Sequence, residues 1–508
     1  MGSEGFELCG FDLERDAYRC VVEWLTGDRV AYTDPEGSAT IRADWSNGKV
    51  AMTGCSYGGT LPFEVATTGV KGLETIIPYA GIASWYDYTN SQGVAKRFDV
   101  HYADELASYN GGGLFIDDNW LIINDAYGSW LYTVAKEQEE TNGDYAAIWD
   151  RMNYEHDYED INCSALIVHG LNDFNVTTKQ SDLMYKAFKL ADKNVKLVFH
   201  QDGHNDLYGK MFGDDSWENI LNKWLCHYLY DTDNGIEDMP ELTVQSNIDG
   251  SFREYDSWRR ENGDFDYLTL YPESEETKST VSTSGYADYY QNYDDETGSQ
   301  EDFLLNAPEE NKAEYEIKLP EETIISGVPV VSFKASTNKT DFDGLMISAA
   351  LIDTIDNETV FKAYMTRSEI DDHVPVATVS SCDYGGEYGY ADIKEFVPSN
   401  VSAKAFSYGW TDLTNPGGGY DSCDYTDTVD IAPGQEYDYS FYMTPTVYEM
   451  APGHKLKLVI TTWDPYSGAD LDESYGKDDA ELTEYYNYDF TINNESLTVD
   501  IPVVREDG

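Results

Sequence analysis

Basic residues are scarce in this 508-residue chain, which has 33 Lys and Arg against 95 Asp and Glu and hence a net charge of −62. Such a field repels phosphate groups, so the composition all but excludes a nucleic-acid-binding protein and disfavours an anionic membrane surface. Long apolar stretches are lacking too: no window approaches 18 uninterrupted apolar residues, so we expect no membrane span. The 41% apolar and 14% aromatic residues still suffice for large folded cores.

Cysteine is also scarce, and seven scattered residues are too few for a disulfide scaffold. Cys382 and Cys423 in the C-terminal half are candidates for a pair, although their spacing alone does not establish a bond. The sequence has no CxxC pair, no histidine cluster and no close match to a calcium loop, so we expect no metal and no cofactor. The first residues lack the basic and apolar segments of a signal peptide.

Two regions with different patterns follow each other along the chain. Up to about residue 235, short apolar runs alternate with amphipathic stretches, which is typical of a mostly parallel sheet covered by helices. The interval from about 88 to 160 interrupts this pattern and indicates a helical insertion over the sheet. The predicted strands are 49–54, 73–81, 165–173 and 196–204, and the predicted helices are 13–25, 60–69, 178–192 and 216–230.

From about residue 240, helical patterns largely vanish and strand-like runs alternate with turn residues. The runs 329–337, 344–354, 436–448 and 454–464 have the spacing of a β-sandwich or jelly roll. The sequence therefore predicts two domains, 1–235 and 240–508.

The first predicted strand runs into Gly54-Cys55-Ser56-Tyr57-Gly58, a G-x-S-x-G sequence that a predicted helix follows. In the order strand, tight turn and helix, this pattern marks the nucleophile of a serine hydrolase. Glycines on both sides of Ser56 let the turn adopt a strained conformation without side-chain clashes. The backbone N–H of Tyr57 then lies at the helix N-terminus, where it can stabilise an oxyanion. The alternative is a glycine-rich turn without a catalytic role.

Two further polar residues lie at the C-terminal ends of predicted strands. Ser56, Asp173 and His204 follow one another in the chain order of an α/β-hydrolase triad. In such a triad the imidazole takes the proton of the serine, and the carboxylate fixes the tautomer and stabilises the imidazolium. His200 and His169 are the nearest competing histidines, and we expect both to lie inside strands rather than in the loops beyond them.

The segments around these positions resemble a known family. NGKVAMTGCSYGGTLPFEVATTGVKGLETIIPYAGIASWYDY is similar to the nucleophile region of the Xaa-Pro dipeptidyl-peptidases, HGLNDFNV to their aspartate segment and HQDGH to their histidine segment. APGHKLKLVITT resembles part of their C-terminal domain. The resemblance implies an α/β-hydrolase-type domain with a mostly parallel sheet, followed by an all-β jelly roll. The related cocaine-esterase and acylase branch shares the nucleophile turn, but its other two segments usually differ.

The same resemblance implies a serine peptidase that releases N-terminal Xaa-Pro dipeptides through an acyl-enzyme on Ser56, with proline-containing peptides as substrates. Trp85 and Tyr88 match positions that line the proline pocket in the family, and Asn175 matches a residue that binds a backbone carbonyl of the substrate. Ordinary aromatic packing is the alternative for Trp85 and Tyr88, and a turn role is the alternative for Asn175.

Two features depart from the family pattern. Cys55 stands where the family commonly has lysine, and only about 48 residues precede the nucleophile strand. An α/β-hydrolase normally builds several strands before this point, and one of their loops supplies the second oxyanion donor. We therefore expect the chain to be a fragment without its N-terminal strands.

Three questions stay open at this point. An esterase or acylase of the same clan is one alternative function, and an inactive fragment that acts as an acidic β-domain binding protein is another. Family members are often cytoplasmic, whereas the strong acidity favours a secreted or cell-surface protein, so the compartment is undecided. The sequence also does not decide whether the chain forms a homodimer.

Overall fold

The computed structural model describes residues 10–95 and 144–504 with several gaps, and only residues 128–129, 132 and 136–137 of the segment between them. The gaps are residues 35, 208, 261–262, 286–288, 290–299, 321–322, 340–345, 357–358, 365–373, 383–387, 396–397, 422–428 and 463–487. Most of the predicted insertion at 88–160 and the cysteine partner Cys423 therefore lie outside the described residues.

In the described part of the chain, six strands form the sheet of the N-terminal region, with the spatial order β6-β5-β4-β3-β2-β1. The first five run parallel to their neighbours, and β6 is antiparallel to β5. This confirms the predicted mostly parallel sheet, in which β1 is the outermost strand on one side. The strands are β1 (Val50–Cys55), β2 (Leu73–Tyr79), β3 (Ser164–Gly170), β4 (Val195–His200), β5 (Leu242–Gln245) and β6 (Phe252–Tyr255).

Helices cover both faces of this sheet because successive residues of its strands point in opposite directions. On one face, the strand residues Ile76, Ile167 and Leu197 share a core with helices α1, α2 and α3. On the other face, Val168 and Val198 pack against α4. The helices are α1 (Asp12–Thr26), α2 (Tyr57–Ala66), α3 (Lys179–Leu190) and α4 (Trp217–Tyr230).

The sheet extends past residue 235, where the sequence predicted the first domain to end. Strand β5 pairs in parallel with β4, and a short turn leads from β5 to β6. Both strands are only four residues long and follow the last predicted helix. The pattern there resembles the strand-like runs that come after it, so the sequence does not separate them.

In the remaining described residues, nine strands form two larger antiparallel sheets. The spatial order is β7-β15-β10-β13 in one sheet, with β8 also paired to β15, and β9-β14-β11-β12 in the other. Apolar side chains from both sheets share one core. This confirms a β-rich C-terminal region, and its jelly-roll topology stays a prediction. The strands are β7 (Tyr267–Leu270), β8 (Lys278–Ser282), β9 (Lys312–Ile317), β10 (Val330–Thr337), β11 (Met346–Thr354), β12 (Ala403–Asp412), β13 (Tyr437–Tyr442), β14 (Lys455–Thr461) and β15 (Asp489–Pro502).

Several further elements complete the described fold. Two 3₁₀ helices, Ala147–Met152 and Tyr154–Asp160, form the end of the predicted insertion, and Tyr86–Thr89 is a single helical turn near its start. None of the helices in the described part of the chain has both the length and the apolarity that crossing a bilayer requires. Other strands and helices, outside the larger sheets, are Ala31–Tyr32, Thr40–Ile41, Asn90–Ser91, Val94–Ala95, Met211–Phe212, Asp215–Ser216, Ile236–Asp238, Gln300–Asn306, Glu309–Asn311, Ile324–Gly327, Phe361–Tyr364, Val374–Cys382, Tyr388–Glu395, Pro398–Val401 and Thr446–Glu449.

Gln92 ties the two regions together. It lies in a tight turn with φ of 48° and is 3% exposed. Its side-chain amide donates to the carbonyl oxygens of Trp410 and Tyr442 at 2.9 Å each and accepts from the Tyr442 N–H at 2.9 Å. A buried amide with these bonds satisfied fixes the start of the insertion against strands β12 and β13.

Candidate active site

The three predicted triad residues come after strands of the same parallel sheet. Ser56 follows β1, Asp173 comes three residues after β3, and His204 comes four residues after β4. The carboxyl ends of parallel strands lie at one edge of the sheet, where ligands bind in open α/β folds. The topology therefore places all three residues at the edge where a catalytic site is expected.

Ser56 adopts the strained conformation that its motif predicts, with φ of 61° and ψ of −128°. Its N–H donates to the Tyr79 carbonyl at 2.9 Å. A Cβ atom on Gly54 would lie 2.2 Å from the Gly58 carbonyl oxygen, and one on Gly59 would lie 2.5 Å from the Tyr79 carbonyl oxygen. Gly58 itself has open space around its α-carbon, so the close approaches occur at positions 54 and 59 rather than at both flanks of the pentapeptide.

Asp173 and His204 form a directly hydrogen-bonded pair. His204 Nδ1 donates to Asp173 Oδ2 at 2.7 Å, and Asp173 Oδ1 accepts the N–H groups of Asn175 and Val176 at 2.9 Å each. The aspartate side chain is fully buried, whereas the His204 side chain is 24% exposed. The second ring nitrogen of His204, Nε2, has no hydrogen-bond partner among the described residues.

The charges of this pair stabilise each other. Burial acts to raise the pKa of Asp173, but hydrogen bonds from His169 and His204 outweigh it and lower this pKa to about 2. Burial acts to lower the pKa of His204, but the hydrogen bond and the charge of Asp173 outweigh it, so this pKa is raised above its ordinary value. The Ser56 hydroxyl makes no hydrogen bond to His204 among the described contacts, so the structure joins two of the three residues directly.

Tyr57, the predicted oxyanion donor, is the first residue of α2. Its backbone N–H therefore belongs to the helix N-terminus, where the partial positive charge of the helix favours an anion. Its hydroxyl donates to a carboxylate oxygen of Glu14 on α1, and its ring contacts the indole of Trp85 edge to face at 5.7 Å. These contacts fix the side chain next to Ser56.

The predicted pocket residues form one aromatic group. Trp85 is fully buried, and its indole Nε1 donates to the Tyr154 hydroxyl at 3.0 Å, which agrees with the packing alternative among the described residues. Tyr88 contacts Trp85 edge to face at 6.0 Å, and its hydroxyl donates to Asn175 Oδ1 at 2.8 Å. The structure thus brings Tyr88 and Asn175 together, close to the carboxylate of Asp173.

His169 was expected only to be a residue inside a strand. It is in β3 as predicted, but its Nε2 lies 3.4 Å from Asp173 Oδ2 and 2.7 Å from the Val176 carbonyl oxygen. The signal in the sequence was its spacing, four residues before Asp173. His200 is also in its predicted strand, β4, and is fully buried.

Aromatic residues of the β-rich region also contact the aspartate loop. The ring of Phe174 stacks on Tyr408 of β12 at 5.4 Å with an interplanar angle of 6°. Nothing in the local sequence around Phe174 identifies this partner. Among the described residues, no group of three or more His, Cys, Asp or Glu side chains is arranged to hold a metal ion.

Comparison with known proteins gives the same family for both regions. Residues 1–206 match the model of the X-Pro dipeptidyl-peptidase (S15 family), and residues 234–483 match the model of the X-Pro dipeptidyl-peptidase C-terminal non-catalytic domain. An Xaa-Pro dipeptidyl-peptidase from Ligilactobacillus salivarius is 31% identical over 483 residues, which are 91% of this chain and 57% of that protein. The chain thus spans somewhat more than half the length of this curated relative.

Solved structures show the same fold at low sequence identity. An aminopeptidase from a marine sediment Thaumarchaeota archaeon has a TM-score of 0.61 at 15% identity. The match covers 97% of this chain and 80% of the aminopeptidase chain. A CocE/NonD family hydrolase from Staphylococcus aureus has a TM-score of 0.62 at 13% identity, and the match covers 99% of this chain and 78% of the hydrolase chain. The likeness confirms an α/β-hydrolase sheet followed by a β-rich region. The family itself is shown by the two matching models, which together cover most of the chain, and by the curated relatives: the chain belongs to the S15 family of X-Pro dipeptidyl-peptidases.

Proposed function

We propose that this chain carries the catalytic residues of a serine peptidase that releases N-terminal Xaa-Pro dipeptides. The observation that carries the proposal is the buried Asp173–His204 pair, with a hydrogen bond of 2.7 Å, at the same sheet edge as the strained turn of Ser56. The names of the relatives support the substrate class, since they are Xaa-Pro dipeptidyl-peptidases.

In the proposed reaction, His204 Nε2 accepts the proton of the Ser56 hydroxyl while the serine oxygen attacks the carbonyl carbon of the proline residue. The Asp173 carboxylate keeps the hydrogen on Nδ1 and stabilises the imidazolium that forms. The Tyr57 N–H stabilises the oxyanion. The imidazolium then protonates the leaving amine, and water hydrolyses the acyl-enzyme through the same base.

For substrate binding we propose that Tyr88, supported from behind by the fully buried Trp85, forms one wall of the proline pocket. The Tyr88 hydroxyl donates to Asn175 Oδ1, so the amide nitrogen of Asn175 keeps its hydrogens for a substrate carbonyl. Neighbouring contacts thus orient both candidate groups before a peptide binds, which lowers the entropy lost on binding.

Release of p-nitroaniline from Gly-Pro-p-nitroanilide tests the proposal. We expect turnover by the 508-residue chain and a loss of about 10⁶ in kcat for Ser56→Ala, since removing a nucleophile leaves only binding and the oxyanion site. N-acetyl-Gly-Pro-p-nitroanilide, which has no free amine, should be a poor substrate.

One further substrate and one covalent inhibitor distinguish the alternatives. Turnover of p-nitrophenyl acetate without turnover of the prolyl amide would favour an esterase or acylase. A folded chain that turns over neither compound, and whose serine does not react with a fluorophosphonate, would contradict the proposal for this chain.

A further inference from the structure

A second histidine, in addition to its partner His204, lies next to Asp173. His169 is 1% exposed, and its Nε2 lies 3.4 Å from Asp173 Oδ2 and 2.7 Å from the carbonyl oxygen of Val176. A carbonyl oxygen only accepts hydrogen bonds, so Nε2 must carry the hydrogen. Asp173 Oδ2, 3.4 Å from the same nitrogen, is a more distant acceptor, so His169 contacts both ends of the aspartate turn.

The turn itself explains why this donor matters. Asp173 Oδ1 is fixed by the N–H groups of Asn175 and Val176, while Oδ2 receives the hydrogen bond of His204. The bond from His169 to the Val176 carbonyl fixes the residue that supplies one of those N–H groups. His169 therefore acts on Oδ1 through the turn and on Oδ2 directly.

We propose that His169 is a positioning residue, which holds the Asp173 carboxylate in the orientation that His204 needs. The inference rests on the proposed function, because it assigns His169 to the aspartate of that same triad. The contacts described for His169 do not include Ser56. Its effect on the reaction must pass through Asp173.

Three substitutions at this position distinguish the effect of the hydrogen-bond donor of His169 from the effect of its side-chain volume. His169→Leu removes the donor, and His169→Asn places an amide N–H near the position of Nδ1, too short to reach Val176. His169→Gln places its N–H near the position of Nε2. We expect Leu and Asn to lower kcat about tenfold with little change in KM, well below the ~10⁴ for losing the function of the carboxylate itself, and Gln to restore most of the activity.

His200→Asn is the matched control. His200 is fully buried in the neighbouring strand, and its Nδ1 accepts the Asp202 N–H at 3.2 Å, a role that an asparagine oxygen can take over. Its ring makes no hydrogen bond to Asp173 among the described contacts. We expect kcat and KM of this variant to stay within about twofold of the parent chain, since no positioning contact is lost.

Two readouts do not depend on proline specificity. The low-field proton signal of the His204–Asp173 hydrogen bond should shift upfield or broaden in the Leu and Asn variants and return in Gln. The rate at which a fluorophosphonate labels Ser56 should follow the same order. If the parent chain is labelled but ignores Gly-Pro-p-nitroanilide, the proposed function fails while the role of His169 is still measured.

Several results would overturn the inference. One is an unchanged low-field signal in folded His169→Leu. Another is equal behaviour of the Asn and Gln variants, because position would then not matter. A rise in KM without a fall in kcat would assign His169 to substrate binding instead, and a loss in His200→Asn as large as in His169→Leu would show a general effect of buried histidines.

Discussion

The turn of Ser56 and the loop of Asp173 belong to one candidate site but are built in different ways. The Ser56 turn depends on neighbours in the α/β region: the carbonyl of Tyr79, the close approach of Gly54 to Gly58, and Glu14, which accepts from Tyr57. The Asp173 loop continues into α3, and it is held from the β-rich region as well. A nucleophile turn of this kind forms from local sequence, whereas the aspartate loop needs residues more than two hundred positions away.

Among the described residues, three contacts illustrate that long-range support. Phe174 stacks on Tyr408, the Thr178 hydroxyl donates to the Pro445 carbonyl at 2.5 Å, and Lys179 Nζ donates to the Tyr420 carbonyl at 3.1 Å. The hydroxyl contact alone joins residues 267 positions apart. The β-rich region, whose family model is described as non-catalytic, therefore contributes to the position of a proposed catalytic residue.

Among the changes that test this comparison, the largest effect is expected from Asp173→Asn. It removes the charge that raises the pKa of His204 and favours the wrong tautomer, so kcat should fall about 10⁴-fold. Neutral imidazole is the base, so activity is lost as pH falls through the pKa of His204. That pKa decreases in the variant, and the acidic limb of kcat/KM should move to lower pH. An unmoved limb would contradict the assignment of the pair.

A pair of glycine substitutions tests whether the nucleophile turn is local. Gly54→Ala forces a Cβ atom to 2.2 Å from the Gly58 carbonyl oxygen, so the turn must shift by roughly 1 Å, which costs about 10² in rate. Gly58→Ala meets nothing within 4 Å and should leave the labelling rate of Ser56 nearly unchanged. Similar losses in both variants would show that the close approach does not shape the turn.

Glu64→Gln should stabilise the region behind the nucleophile. Glu64 is fully buried in α2, neither carboxylate oxygen has a hydrogen-bond partner among the described residues, and burial together with Glu14 raises its pKa well above the ordinary value. The folded state therefore binds a proton that the unfolded state releases above its ordinary pKa, and stability falls as pH rises.

The neutral amide removes this penalty, so the free energy of unfolding at pH 7 should be larger in the variant than in the parent chain. The gain should disappear near pH 4, where the carboxyl group is protonated in both states. Denaturant unfolding of the two proteins at both pH values measures this difference, and a gain that is the same at pH 4 and pH 7 would contradict it.

The smallest effect is expected from the ring that the β-rich region places on the aspartate loop. Tyr408→Leu removes the stack on Phe174 and should lower kcat several-fold, whereas Tyr408→Phe keeps the ring and the rate. A double-mutant cycle with Phe174→Leu should give a coupling of about 0.5–1.5 kcal/mol in the activation free energy. A coupling near zero would mean that the two regions pack together without affecting the reaction.

The same comparison explains how far sequence alone could predict the molecule. The strand, turn and helix around Ser56 follow from local patterns, and so do the buried strands before Asp173 and His204. Gln92 and Tyr442, which are hydrogen-bonded, lie 350 positions apart in the sequence. Hydrogen bonds of a single amide produce no periodic sequence pattern, so this contact could not be predicted. Strands β5 and β6 were missed because four-residue strands after residue 240 do not show which sheet they join. His169 reads as an ordinary strand residue until the turn of Asp173 folds back over it.

Strand β15 has a consequence for how the protein is made. It pairs with β7, β8 and β10, so one of the two C-terminal sheets cannot form before residue 502 has been synthesised. At a synthesis rate of 5–20 residues per second, strand β6, the last strand of the α/β sheet, is synthesised roughly 12–50 s before strand β15 is complete. The two C-terminal sheets share one core, so throughout this interval the aspartate loop has no finished partner. Chaperone capture during translation should therefore be strongest in this window.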